Sequence, residues 1–304
     1  MKVGDVLITP FQVKEITKKI KFIPEGVRLV GAPAAWEKGI TGEGIVVAVI
    51  DSGCQIDHPN LKRNIIGGYN FTNDDNGNPR SLIDYISHGT HVAGIIAASS
   101  DNGGIKGVAP DARLLILKVI NSKGESNYNT LIKALNYALK WQGPNGEKVS
   151  VINLSLGGVL DDEELHRTII KIVENGVVVV TAAGNIGDNN IKTDEILYPG
   201  YYEEVIEVGS INNKKEPSFF SNSNNQIDFV APGNDVLSTF PSNNYAKLSG
   251  TSMAAPHVTG VIVLLLSTID SEKLHLYDIY LQLAKNAIQL GIGKNFEGNG
   301  LIHT

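Results

Sequence analysis

Ser252 lies in the segment LSGTSMAAPHVTG (248–260), where glycine and alanine surround it and an apolar, helix-like run follows. Two interpretations are open: a cap at the start of a buried helix, or a nucleophile held at a helix N-terminus. A serine attacks a carbonyl carbon when an imidazole removes its proton and a carboxylate fixes the imidazole tautomer. The oxyanion then needs hydrogen-bond donors. The chemical interpretation therefore requires a histidine, an acid and a donor elsewhere.

Candidates for these roles stand at the ends of apolar runs. Asp51 ends AVID, His88 opens HGTHVAGIIAA, and Asn185 ends AAGN. Taken singly, each has an ordinary interpretation as a cap, a structural histidine or a turn residue. His88 and His91 are three residues apart, but the chain has no HExxH zinc motif. We expect His91 to pack or hydrogen-bond behind the site.

The elements that must position these residues alternate along the chain. Continuous apolar runs predict buried strands over 44–51, 112–120, 149–156, 176–184 and 204–210. Helical periods lie at 128–142, 162–174 and 276–290. This alternation predicts an α/β fold of three layers, doubly wound around a mostly parallel central sheet. Ligands of such folds bind beyond the carboxyl ends of the strands, where the candidates lie.

Composition narrows the function classes. The chain has 304 residues, a net charge of −6 and a single cysteine, Cys54. The negative charge argues against a nucleic-acid partner, and the single cysteine excludes an internal disulfide. We find no signal-peptide pattern, and the run VIVLLL is too short to span a membrane, so we expect a soluble cytoplasmic protein. A nucleotide-binding enzyme is disfavoured because GxGxxG and GxxxxGK[ST] are missing.

Five motifs, VAVIDSG, HGTHVAG, SLGG, AAGN and GTSMAAPHV, together resemble the subtilisin-like serine proteases, in the same order. The resemblance runs from about Pro24 to Leu301.

The resemblance implies a role for each candidate. Ser252 is the nucleophile, His88 the general base and then acid, and Asp51 orients the imidazole. The Asn185 amide and the Ser252 backbone N–H are the implied oxyanion donors. We expect Pro256 in the first helical turn, where its missing N–H costs least.

In this family the substrate lies as an extended strand between two enzyme segments, which match 123–127 and 155–158 here. Tyr128 matches a lid-like tyrosine along the cleft, with ordinary helix-start packing as the alternative. Ile186, after Asn185, suggests an apolar or aromatic preference for the residue before the scissile bond, within a broad specificity. The implied pocket walls are Ser155, Leu156, Gly157, Ala182, Ala183 and Gly184.

Residues 1–20 resemble the short propeptide of the intracellular subtilisins, and residues 21–304 form the peptidase domain. Only fifty residues precede Asp51, whereas secreted subtilisins carry a signal peptide and a chaperone domain there. The element Leu7-Ile8-Thr9-Pro10-Phe11 matches the family's Leu-Ile-Pro-aromatic element in part, since Thr9 interrupts it. We predict that this extension lies in the cleft as a pseudo-substrate; the alternative is a frayed arm.

A structural Ca²⁺ is the implied cofactor. The loop GDNNIKTDE (187–195) matches a calcium loop of the intracellular branch, with a solvated acidic loop as the alternative. The candidate ligands are Asp188, Thr193, Glu195 and the Asn190 carbonyl.

A second family site, in the 99–105 loop, would use Asp101, residue 60 and backbone carbonyls. Here Asn60 replaces a carboxylate and Lys21 falls where a glutamine ligand is expected. An ammonium cannot coordinate Ca²⁺, so the sequence argues against this site.

The expected partners are peptide or protein substrates. Intracellular relatives commonly form homodimers, some through a tail beyond GNGL, which this chain lacks. A catalytically silent, peptide-binding relative is the competing hypothesis. Such a relative usually loses one of the four catalytic residues, and all four are present.

Overall fold

A computed structural model describes residues 5–8, 12–18, 21–100, 103–269 and 276–304. The strands are β1 (Asp5–Leu7), β2 (Gln12–Thr17), β3 (Lys21–Phe22), β4 (Val46–Asp51), β5 (Ile65–Asn70), β6 (Gly104–Ile105), β7 (Arg113–Lys118), β8 (Glu125–Asn127), β9 (Val149–Leu154), β10 (Val178–Ala182), β11 (Ile206–Ile211), β12 (Ile227–Pro232), β13 (Val236–Phe240) and β14 (Asn244–Ser249). The helices are α1 (Glu25–Leu29), α2 (Ala32–Glu37), α3 (His88–Ala97), α4 (Tyr128–Lys140), α5 (Glu163–Glu174), α6 (Thr251–Leu266), α7 (Leu276–Asn286) and α8 (Lys294–Glu297).

Seven parallel strands form the central sheet, in the order β12-β11-β10-β9-β4-β7-β5. Alternate residues of β4 enter two different apolar clusters. Val47 and Val49 pack on the side of α3 and α6, while Val46, Ala48 and Ile50 pack on the side of α4 and α5. The sheet is therefore covered on both faces, which confirms the predicted three-layer α/β fold.

All five predicted strands are present as β4, β7, β9, β10 and β11, with ends shifted by one to three residues. The helix predicted over 276–290 is shorter, because α7 ends at Asn286. Strand β5 was not predicted: Gly67 and Gly68 interrupt its apolar pattern. A β-carbon at Gly68 would lie 2.5 Å from the Ile116 carbonyl oxygen, so close strand packing explains that glycine.

Side-chain caps fix two of the predicted helix starts. Asn127 Oδ1 accepts from the Thr130 N–H at 2.9 Å before α4, and Asp162 Oδ1 accepts from the Leu165 N–H at 2.8 Å before α5. Each cap satisfies an N–H group that the helix leaves unpaired. The caps set where the helices that cover one sheet face begin.

The three N-terminal strands join different parts of the molecule. Strand β1 pairs antiparallel with β8, β2 pairs antiparallel with β14, and β3 pairs parallel with β6. Within the described ranges, no helix is long and apolar enough to cross a membrane.

Candidate active site

Asp51 and His88 meet at the carboxyl edge of the central sheet. Asp51 is the last residue of β4 and His88 the first of α3, and both side chains are fully buried. His88 Nδ1 lies 2.8 Å from Asp51 Oδ1 and 3.0 Å from Oδ2. Because a carboxylate only accepts, the Nδ1 proton donates, and Nε2 is left as the basic nitrogen.

A second buried carboxylate, Asp84, holds both segments and was missed by the sequence analysis. Its Oδ1 accepts from Ser52 Oγ at 2.8 Å and from the Ser87 N–H at 2.8 Å, and its Oδ2 accepts from Thr90 Oγ1 at 2.6 Å. Burial raises the pKa of Asp84, and the bonds from Thr90 and Ser52 oppose that rise. The only signal in the sequence was an acid shortly before the predicted helix start.

Ser252 is the second residue of α6 and is fully buried. Its hydroxyl donates to the Ser155 carbonyl oxygen at 3.1 Å, and the Ser155 hydroxyl donates to the Ser252 carbonyl oxygen at 3.0 Å. These reciprocal bonds join the start of α6 to the loop after β9.

The placement of Pro256 corrects the sequence expectation. Pro256 is the sixth residue of α6, beyond the first turn, so the Ser252 carbonyl has no N–H partner four residues on. The Ser155 hydroxyl supplies the missing donor. The proline is therefore tolerated because a distant side chain completes the hydrogen bonding.

Asn185 is fixed beside the start of α6 by its carbonyl end. Its Oδ1 accepts from the Thr251 N–H at 2.8 Å and from Thr251 Oγ1 at 2.9 Å. A β-carbon added at Gly250 would lie 2.9 Å from Asn185 Nδ2. The amide Nδ2 thus faces the small residues that precede Ser252.

His91 lies behind this site. It is fully buried on α3, and its Nε2 lies 3.0 Å from the Val236 carbonyl oxygen and 3.1 Å from that of Ala246. Two acceptors place the proton on Nε2. Burial lowers the pKa of His91 to about 3, so it is neutral near pH 7.

The predicted pocket walls are both buried. Ser155, Leu156, Ala182 and Ala183 have less than a tenth of their surface exposed. The predicted side chain Ile186 is 51% exposed.

Leu197 lies between the two walls and was also missed. A β-carbon at Gly184 would be 2.5 Å from Leu197 Cδ1, and one at Gly157 would be 3.6 Å from Leu197 Cβ. Leu197 is 4% exposed. This leucine therefore bounds the space between the walls, which no short sequence pattern indicates.

Strand β1 lies between the two segments that the resemblance assigns to substrate. On one side it pairs with β8, with Val6 opposite Ser126. On the other, the Leu7 N–H donates to the Gly157 carbonyl oxygen at 3.0 Å, and the Gly157 N–H donates to the Leu7 carbonyl oxygen at 3.1 Å. The described part of the extension is thus a paired strand in the cleft.

Side chains of this strand pack on the cleft. Val6 is fully buried in the apolar cluster that contains Tyr128 and Leu156, and Ile8 packs against it. The Tyr128 hydroxyl donates to the Leu160 carbonyl oxygen at 2.9 Å. The predicted element continues over residues 9–11, which lie outside the described residues.

The predicted calcium loop places several oxygens together. Thr193 Oγ1 donates to Asp188 Oδ1 at 2.9 Å and lies 2.8 Å from the Asn190 carbonyl oxygen. Glu195 Oε2 accepts from the Ser223 N–H at 2.9 Å, whereas the buried Oε1 has no hydrogen-bond partner among the described residues. Across the described residues, no group of three or more His, Cys, Asp and Glu side chains could hold a metal ion. Any ion at this loop would depend on hydroxyl and carbonyl oxygens as well.

Residues 42–298 match the model of the Subtilase family. This chain belongs to the subtilase family. It is 48% identical over 301 residues to an intracellular serine protease of Paenibacillus polymyxa, covering 98% of this chain and 90% of the relative. It is 46% identical over 304 residues to the major intracellular serine protease of Bacillus subtilis, covering 99% and 93%. Subtilisin E of Bacillus subtilis is 40% identical over 245 residues, 81% of this chain and 61% of that protein.

Membership of the family confirms the resemblance stated from the motifs, including its intracellular branch. The subtilase chain described here is therefore a serine endopeptidase. The residues that act in it are taken up next.

Proposed function

We propose that this subtilase cleaves peptide bonds through Ser252, His88 and Asp51. The observation that carries the proposal is the buried Asp51–His88 bond at 2.8 Å, made where β4 ends and α3 begins. It holds Nδ1 protonated, so that Nε2 can accept the Ser252 hydroxyl proton. Ser252 Oγ leaves the Ser155 carbonyl and bonds to the substrate carbonyl carbon.

The tetrahedral oxyanion is stabilised by the Asn185 Nδ2 amide and the Ser252 backbone N–H. The bonds from Thr251 to Asn185 Oδ1 support this role, because they fix the amide before substrate arrives. The protonated His88 then gives its proton to the leaving amine. Water, deprotonated by His88, attacks the acyl-enzyme, releases the acid product and returns the proton to Ser252.

The pocket before the scissile bond takes apolar side chains, in keeping with Leu156, Ala182 and Leu197 around it. Because Leu197 stands between Gly157 and Gly184, its size sets which apolar residues enter. Backbone pairing along both cleft segments leaves specificity otherwise broad.

The N-terminal extension acts as a pseudo-substrate until it is removed. Support comes from Leu7, which exchanges two backbone bonds with Gly157, and from the buried Val6. A protein substrate would need the same segments, so β1 and substrate compete for them. Cytoplasmic action on peptides and proteins fits the intracellular names of the relatives, and a homodimer stays a prediction.

A structural Ca²⁺ would be held by Asp188, Thr193, Glu195 and the Asn190 carbonyl. The unpartnered, buried Glu195 Oε1 fits a hard cation, which prefers oxygen ligands. The bound ion would supply a cross-link for the 187–195 loop and takes no part in the chemistry.

The experiment compares the full chain, a chain lacking residues 1–18, and the shortened chain with Ser252→Ala, all on a chromogenic peptide. We expect strong activity only in the second. Activity that survives Ser252→Ala would remove the assignment of the nucleophile. Equal activity of the first two chains would end the pseudo-substrate proposal and leave the triad proposal standing.

A further inference from the structure

Asn60 is a buried asparagine whose amide joins two loop carbonyls. Its side chain is 1% exposed, and Nδ2 donates to the Ser99 carbonyl oxygen at 2.7 Å and to the Gly103 carbonyl oxygen at 2.7 Å. Both amide protons are thus used on the two ends of one loop. These carbonyls belong to the loop where the family resemblance implies a second cation.

The other end of the same amide is also satisfied. Asn60 Oδ1 accepts from the Tyr245 hydroxyl at 2.6 Å and from the Ile105 N–H at 3.3 Å. Backbone carbonyls only accept and a backbone N–H only donates, so the four partners leave one orientation for the amide. The side chain links the loop to strand β14, which contains Tyr245.

Backbone bonds surround this link. The Ser99 N–H donates to the Asn60 carbonyl oxygen at 2.8 Å, and the Asn60 N–H donates to His58 Nδ1 at 3.2 Å. Gly104 adopts a left-handed φ of +86°, and a β-carbon there would collide with Asn60 Oδ1. Loop and side chain therefore fit each other closely.

A cation does not fit this arrangement. Calcium needs oxygen lone pairs directed at it, whereas the Ser99 and Gly103 carbonyls already accept from N–H groups. The amide presents its positive edge to the position between those oxygens. Strand β3 pairs Lys21 with Gly104, so a lysine rather than an oxygen-bearing residue stands beside the loop.

We propose that the Asn60 amide takes the place of the metal ion here, holding the 99–105 loop without calcium. An aspartate at this position would replace the donating nitrogen by oxygen and turn three oxygens toward one point. Without a cation those oxygens repel one another, and with Ca²⁺ the repulsion becomes coordination. A single substitution is thus expected to convert a metal-independent loop into a calcium-dependent one.

The test uses the full chain with Ser252→Ala, which prevents self-digestion, as parent. Asn60→Asp is compared with Asn175→Asp, which makes the same charge change at an exposed asparagine bonded to a single carbonyl, that of Lys171. Calorimetric titration with CaCl2 counts bound ions, and thermal unfolding is followed in chelator and in Ca²⁺. The 187–195 loop is common to all three proteins, so only differences from the parent bear on Asn60.

We expect Asn60→Asp to bind one Ca²⁺ more than the parent, and its Tm to fall by roughly 5 °C or more in chelator and recover with Ca²⁺. Asn175→Asp should match the parent in both. An unchanged ion count and an unchanged calcium response in Asn60→Asp would overturn the proposal.

A second measurement does not depend on the folding of Asn60→Asp. Hydrogen exchange at the Ile105 amide is compared in the parent with chelator and with Ca²⁺. Equal protection in both supports an amide-held loop. Loss of protection in chelator would show that a metal holds the loop and would contradict the proposal.

Discussion

The catalytic centre and the N-terminal strand that covers it are held by different forces. Asp51, His88 and Ser252 are fully buried and depend on side-chain hydrogen bonds. Strand β1 depends on backbone bonds to β8 and Gly157, with one buried side chain, Val6. Substitutions in the first region should therefore have large, residue-specific effects, whereas most side chains of the second are replaceable.

The largest expected effect comes from Asp51→Asn in the chain lacking residues 1–18. An amide donates where the carboxylate accepts, so His88 takes the wrong tautomer, and kcat should fall by about 10⁴. Stopped assays on a chromogenic peptide measure this, with Asp57→Asn in a nearby exposed turn as the control. A loss below tenfold would separate Asp51 from catalysis.

Asn185→Leu should come next. Loss of Nδ2 removes one oxyanion donor and should lower kcat by about 10²–10³ with KM little changed, a range that subtilisin itself supplies rather than this structure. Initial rates over a range of peptide concentrations separate the two constants. A raised KM with unchanged kcat would instead make Asn185 a ground-state binding residue.

The covering strand is tested by Val6→Asp in the full chain. Burying a valine contributes roughly 1.5–3 kcal/mol, so losing it and burying a charge should raise peptidase activity at least about tenfold. Val13→Asp is the matched control, because Val13 on β2 is 47% exposed. Equal effects of the two substitutions would mean that the buried side chain does not anchor β1.

The smallest effect is expected from the ion pairs of β2. Lys14 lies 2.7 Å from Asp235, and Glu15 lies 2.8 Å from Lys247, all with exposed side chains. Such pairs contribute less than about 1 kcal/mol. Lys14→Ala with Glu15→Ala should thus change activity of the full chain less than about fivefold, and the change should shrink in 0.5 M salt. A larger, salt-resistant change would show that β2 is a main anchor.

The sequence predicted the parts of this molecule that repeat a simple pattern. Strands such as β4 and β9 are continuous apolar runs because both sheet faces are covered, and motif order indicated Asp51, His88 and Ser252. Contacts between distant segments were hidden. Ser155, 97 positions from Ser252, repairs the hydrogen bond that Pro256 removes, and nothing local indicates it.

Other residues were missed for the same reason. Asp84 appears as an ordinary loop acid until the fold brings Ser52 and Thr90 to it. Leu197 becomes a pocket residue only once Gly157 and Gly184 are placed on either side of it. Asn60 could be recognised as a departure from the family pattern, but its four partners required the structure.

The central claim is that Ser252 is the nucleophile activated by His88. It is tested most directly by treating the chain that lacks residues 1–18 with a fluorophosphonate and mapping the adduct by peptide mass. The account predicts one adduct, on Ser252, that is lost in His88→Ala. An adduct on another residue, or unchanged labelling in His88→Ala, would contradict it.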